Sequence, residues 1–298
     1  MVAVFSFVLY HYILLAVFGV AVFGLGRPLA GWMASYPQLP ALYRWSLQVT
    51  AGAGVAIVLL FLAGVLGVFN SGVILGLVLS GWVMAVATLT RFPSPGRTVA
   101  ACKGLVARWR GTTPAQRCGV VALLLLFLPL LGKPLQTPHE WDELMYHLPY
   151  ARFWAEQGSL AVNEWLRYPL SAYNMNLLYS GALLVGSDLL THLLHMFFGL
   201  LAASLTFVAG RFFLDWKVGL GAGLLVVFTG LWGYDNAYVD LGLMAFWAGA
   251  FASLALRYQY RDARYALLAA ALAGIAVGIK YQGLYYLPEF AVLALVLE

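Results

Sequence analysis

The chain has 298 residues, 63% of them hydrophobic and 10% charged, with a mean hydropathy of +0.85. Soluble domains are about one-quarter charged, so this composition excludes an ordinary soluble domain. The formal charge of +5 points to nucleic acid only until its distribution is read. The two cysteines, Cys102 and Cys118, supply neither a disulfide framework nor a metal site at usable spacing.

The N-terminal run MVAVFSFVLYHYILLAVFGVAVFGLG lacks a basic leader and a small-residue cleavage site, which predicts a retained helix rather than a removed signal peptide. A spanning helix needs about 20 mostly apolar residues. The chain offers about nine such stretches, at roughly 3–25, 47–69, 71–90, 118–132, 187–210, 217–234, 238–256, 265–282 and 284–298. The expected fold is therefore all-α, a polytopic transmembrane helical protein. The glycine runs GVAVFGLG and VGLGAG fall inside apolar stretches, where small residues let helices approach closely. A phosphate-binding loop is rejected for both.

The loops give the orientation. Residues 91–117 hold Arg91, Arg97, Lys103, Arg108, Arg110 and Arg117 with no acid, which makes that loop cytoplasmic by the positive-inside rule. Alternation then places 134–186, 234–240 and 280–288 outside and 211–217 and 257–264 inside. The charges follow: Arg211, Lys217, Arg257, Arg261 and Arg264 fall inside, and Glu140, Asp142, Glu143, Asp235 and Asp240 outside. The basic surplus thus marks topology, and no nucleic-acid partner is expected. The implied location is a bacterial inner (plasma) membrane, with the acidic loops facing the periplasm or exterior.

The outer loop 134–186 is patterned. Apolar residues recur at Trp141, Leu144, Met145, Leu148, Ala151 and Ala155, a helical period, with Gly158 as the stop. The spacing predicts a helix over 142–157 lying in the membrane interface. Its aromatic residues Tyr146, Tyr150, Phe153 and Trp154 are expected among headgroups. A second element, about 171–186, follows the breaker Tyr168-Pro169.

The order of WDELMYHLPYARFWAEQG, a YP turn, a later outer YVDL and finally GIAVGIKYQGL resembles the GT-C superfamily of polytopic glycosyltransferases. The branch is that of the protein O-mannosyltransferases and lipid A aminoarabinose transferase. The likeness covers about residues 118–290, dividing the chain into an N-terminal extension with the basic loop (1–117) and a catalytic region (118–298). Because the chain stops at ALVLE, inside an expected span, it looks like the N-terminal catalytic portion of a longer protein. The resemblance implies that Asp142 is the catalytic base that contacts the acceptor, with Glu143 beside it. Asp240 would be the second outer acid, supporting catalysis or holding a divalent metal. Lys280 would bind the phosphate of a polyprenyl-phosphate-linked sugar donor, and a glycan, lipid or protein would be the acceptor.

The residues support such chemistry independently. Sugar transfer at a bilayer needs a carboxylate to take the acceptor's proton and cations to hold the leaving phosphate. Arg152 or Arg167, in the outer loop, is a second candidate cation to assist Lys280. Tyr146 and His147 lie on the same predicted helix as Asp142. Plainer readings stand beside these: Asp142 as an N-cap, Asp240 as a helix-start acid, Lys280 snorkelling to headgroups, His147 as a solvated or groove-facing residue. His192 and His195, three apart, have no acid or cysteine at metal-ligand spacing, so packing or hydrogen bonding is expected of them. The competing class is a secondary transporter or lipid flippase with Asp142 and Asp240 in the substrate path. Transporters place such charges near the midplane and carry internal repeats, and neither feature is visible here.

Overall fold

A computed structural model describes residues 2–33, 35–89, 107 and 109–297. The basic loop expected at 91–117 lies largely outside these residues, as does Cys102. Among the described residues the secondary structure is helical, with no strand. Among the described residues five helices are long and apolar enough to cross a bilayer: Val4–Leu29, Ala41–Val65, Leu189–Phe213, Trp216–Gly233 and Asp240–Tyr260. At about 1.5 Å per residue each matches or exceeds most of the hydrocarbon thickness of about 30 Å.

The count of nine expected from hydropathy is not reached on length and composition. Ser71–Ala87 and Ala263–Val277 are shorter apolar helices. The stretch expected at 118–132 is an α-helix over Pro114–Phe127 followed by 3-10 turns at Leu128–Leu131 and Lys133–Leu135. Pro129 and Pro134 open those turns, because proline offers no N–H and clashes with the preceding helical turn. The stretch expected at 284–298 is a 3-10 turn, Tyr281–Tyr286, leading into the ten-residue helix Leu287–Val296.

The glycines act as the sequence predicts. A Cβ at Gly52 would lie 1.7 Å from the Val22 carbonyl oxygen, and one at Gly24 would lie 1.8 Å from that of Gly81. The N-terminal helix therefore packs backbone to backbone against Ala41–Val65 on one side and Ser71–Leu89 on the other. Gly219 of the VGLGAG run meets the Phe207 carbonyl in the same way. We expect Gly52→Leu to force the first two long helices apart, costing about 1–3 kcal/mol or more. A fall in the unfolding midpoint checks this, with a surface Gly67→Leu control excluded because Gly67 has φ +69°; Gly76, which faces open space, is the suitable control.

Hydrogen bonds sort the connections into two ends of the bundle. At one end Phe69 N–H donates to Gly158 O (2.9 Å), Leu160 N–H to Gly64 O (3.1 Å), Asn174 N–H to Gly278 O (2.8 Å), and Lys133 pairs with Asp235 (3.0 Å). At the other end Arg27 donates to Met84 O, Ser35 to Tyr265 and Arg264 to Trp32 O. The loops read as outer thus gather at one end, away from Arg27, Arg264 and their neighbours.

Candidate functional site at one end of the helix bundle

The site begins with one helical turn. The helix expected over 142–157 forms, and Gly158 ends it in the left-handed region (φ +68°). Its first part, Glu143–His147, is wound as a π turn, with Leu148 N–H donating to Glu143 O. Pro149 explains this: lacking an N–H, it cannot bond Met145 O and its ring crowds that carbonyl, so the chain takes an i→i+5 register. In that register residues four and five apart share a face. Asp142, Tyr146 and His147 therefore line one cavity together.

The same turn also carries Glu143, which is fully buried and does not line the cavity. One carboxylate oxygen accepts the backbone N–H of His139 (3.1 Å) and Glu140 (3.2 Å). The second of these is the half of a capping box in which a third-position acid reaches back to the N-cap. The other oxygen accepts Ala237 N–H (2.9 Å) and a short bond from His192 Nε2. Burial alone would raise the Glu143 pKa, but the His192 hydrogen bond and charge and the backbone donors more than offset it, leaving it below the ordinary 4.5. Both oxygens are thus committed to the fold. Asp142 lies inside the helix (φ −61°, ψ −36°) and makes no side-chain cap, so the capping role anticipated for it belongs to its neighbour.

His192 and His195 are buried hydrogen-bonding residues, as expected. His195 Nδ1 donates to Gly233 O (2.7 Å), and its Nε2 accepts Leu241 N–H (3.1 Å). Leu241 is the second residue of the helix Asp240–Tyr260, so His195 satisfies an amide at the terminus that carries Asp240. Together with Glu143 and Lys133 it fixes the connection 231–240. No local pattern could have paired Glu143 with His192, which lies 49 positions away.

The cavity, about 190 Å³, is also lined by Tyr168, Ser171, Tyr173, Lys280 and Gln282. Lys280 sits in an extended residue (φ −153°, ψ 133°) just beyond the helix Ala263–Val277, three positions past the helix end. Its Nζ donates to Asp240 Oδ1 at 2.8 Å. The structure thus brings Asp142, Tyr146, His147 and Lys280 to one cavity and joins Asp240 to it through Lys280. Arg152 is exposed and does not line the cavity. Arg167 stacks its guanidinium over Trp141 (4.6 Å) and Tyr168 (5.0 Å). Tyr168 has φ +58°, a strained state for tyrosine, held by the Tyr173 hydroxyl donating to its carbonyl at 2.6 Å.

Three of the four aromatic residues assigned to headgroups belong instead to the interior, and Phe153 is half-buried. Tyr146, Tyr150 and Trp154 are buried, because the loop after Gly158 folds over them. Tyr150 donates to Asn163 O and Trp154 to Ala161 O, each at 3.0 Å. Exposed rings at this end include Trp141, Trp165, Trp232, Tyr281 and Tyr285.

Burial lowers the His147 pKa from the ordinary 6.5 to about 4, with Lys280 acting in the same direction and Asn176, Asp142 and Asp240 opposing it. Between these two values the unfolded chain takes up a proton that the folded chain refuses. Stability therefore falls as pH drops from 6.5 toward 4, by roughly 3 kcal/mol in all, and levels off below. In SDS-unfolding titrations, His147→Gln should remove that part of the slope.

Among the described residues no group of three or more His, Cys, Asp or Glu side chains could hold a metal ion. The nearest cation to Asp240 is the Lys280 ammonium.

Comparisons with known proteins add little to this geometry. No family model matches the chain, and no solved structure matches it. An uncharacterized protein of Shigella flexneri is similar over 133 residues at 28% identity, which is 44% of this chain. The chain covers 59% of the length of that relative.

Proposed function

We propose that the protein is a membrane glycosyltransferase of the GT-C type. It moves a sugar from a polyprenyl-phosphate-linked donor to a glycan, lipid or protein acceptor on the outer side of the membrane. The observation that supports this best is the shared cavity: a carboxylate that makes no helix cap, Asp142, faces the same space as Lys280. Transfer to a hydroxyl requires a base for the incoming oxygen and a cation for the departing phosphate, held close together and out of bulk water.

In this reading Asp142 accepts the acceptor's proton as its oxygen attacks the anomeric carbon. Lys280 stabilises the phosphate that leaves with the bonding electrons. One carboxylate base suits a single displacement, with inversion at that carbon. Asp240 is a positioning residue that aims the Lys280 ammonium. Their pair is partly exposed, with side-chain exposures of 50% and 22%. Such pairs contribute about 0–1 kcal/mol, so the ammonium is easily shared with an arriving phosphate. An apolar groove lined by Leu14, Phe18, Leu60, Ile74 and Leu194 offers a surface suited to a lipid tail. No step is routed through a metal.

A transporter or flippase remains the competing class. The clustering of these charges at one end of the bundle, away from its middle, favours the enzyme.

The reading is tested by binding of undecaprenyl phosphate to the protein in nanodiscs. Loss of a charge-assisted contact worth about 1.5–3 kcal/mol predicts that Lys280→Ala weakens binding about 10- to 100-fold, and that Arg152→Ala, exposed and outside the cavity, leaves it unchanged. Equal affinity in wild type and Lys280→Ala would contradict the assignment.

A further inference from the structure

Buried polar atoms without partners are rare in folded proteins, and each calls for an explanation. Two of those found here, His147 Nε2 and Gln282 Oε1, belong to residues lining the same cavity. They come from different parts of the chain, one from the π turn and one from the turn after Ala263–Val277.

The hydrogen bonds fix what His147 can offer. Asn176 Nδ2 donates to the His147 carbonyl at 2.9 Å, which orients the amide because a carbonyl oxygen only accepts. Asn176 Oδ1 is then the atom facing His147 Nδ1 at 3.2 Å, so Nδ1 carries the proton. A neutral ring protonated at Nδ1 has a bare lone pair at Nε2. The depressed pKa, caused first by burial and then by Lys280 against Asp142 and Asp240, keeps the ring neutral at pH 7. Gln282 Oε1 is likewise an acceptor.

We propose that His147 Nε2 and Gln282 Oε1 accept hydrogen bonds from ring hydroxyls of a sugar held in this cavity. The ligand class follows from the complement. Two bare acceptors reject a phosphate, which at neutral pH offers mainly acceptors itself, and select a group that donates. Tyr146, Tyr168 and Tyr173 line the same space and supply flat apolar faces against which the C–H edges of a sugar ring pack. The volume of about 190 Å³ is below the roughly 300–1,000 Å³ of pockets for drug-sized ligands, and it suits a single ring. The inference rests on the reading of this cavity as the place of sugar transfer. It divides the cavity into a phosphate side at Lys280 and a hydroxyl side at His147.

The test uses the full chain in nanodiscs, because maltoside detergents present the same hydroxyls. Histidine-labelled protein examined by nitrogen NMR should show His147 as the Nδ1–H tautomer at pH 7. Binding of methyl glycosides of glucose, galactose, mannose and arabinose is then measured for wild type, His147→Phe and Gln282→Leu. The preferred glycoside should lose roughly three- to tenfold in affinity in each variant, while undecaprenyl phosphate affinity stays unchanged. Gln282→Leu keeps the test valid if His147→Phe does not fold. Glycoside binding that persists with undecaprenyl phosphate bound assigns the hydroxyls to the acceptor sugar, and competition between them assigns the hydroxyls to the donor sugar. An Nε2–H tautomer, an imidazolium at pH 7, or no response of glycoside binding to either variant overturns the proposal. So does failure of every glycoside to bind wild type, and the phosphate result then still decides the function proposed above.

Discussion

Replacing Asp142 by Asn is expected to lower sugar transfer about 100- to 10,000-fold, the usual contribution of a general base, while leaving the fold intact. The expectation rests on what Asp142 does not do. It is half-buried at the cavity, it makes no cap, and the structural work of the turn falls to Glu143. The Tyr146 hydroxyl bonds the Asp142 side chain, and an asparagine carbonyl oxygen still accepts that bond, so the amide removes the proton acceptor and little else. The assay is transfer of labelled sugar from a polyprenyl-phosphate donor in membranes holding equal amounts of wild-type and variant protein. Asp240→Asn should lose less, because it only loosens the hold on Lys280. Unchanged transfer in Asp142→Asn would remove the base from the mechanism.

Glu143→Ala is expected to be the most damaging single change to the fold, at about 1–3 kcal/mol for each buried donor it leaves unsatisfied. The truncation strands three backbone N–H groups and His192 in the interior. Because Ala237 belongs to the connection 231–240, the loss should spread to Asp240. Amide exchange at Ala237 is predicted to rise with the fall in global stability. The folded pKa of Glu143 is depressed, so its contribution is present above the ordinary 4.5 and lost as pH falls through the lower folded value. A Glu143→Ala variant with wild-type stability would show that these four bonds are not needed.

Much of the architecture was legible because bilayer-depth apolar stretches and loop charges are local signals. The first helix, the helix closed by Gly158 and the hydrogen-bonding fate of His192 and His195 could all be read from spacing. Span length was less legible where prolines cut it, as at Pro129 and Pro134, since apolar composition continues past the break. The π turn was missed because its cause, Pro149, sits inside an otherwise regular helical period. Its consequence is large: it turns His147 toward the cavity that Asp142 lines, while the oxygens of Glu143 are taken up by His192 and the backbone. Adjacent acids in sequence thus acquire opposite tasks, which only the chain's register in space reveals. The aromatic residues Tyr150 and Trp154 were assigned to headgroups because their period is right for an interface. Only the loop folding back over them, through Asn163 and Ala161, makes them interior.

The central claim is that Asp142, Asp240 and Lys280 form one lipid-phosphate site at the acidic end of the bundle. Its most direct test is an experimental structure of the protein in nanodiscs with undecaprenyl phosphate. The account predicts the phosphate within hydrogen-bond distance of Lys280 Nζ, in the cavity that Asp142 lines. A phosphate bound at the opposite, arginine-rich end, or on a surface remote from Asp142 and Lys280, would contradict it.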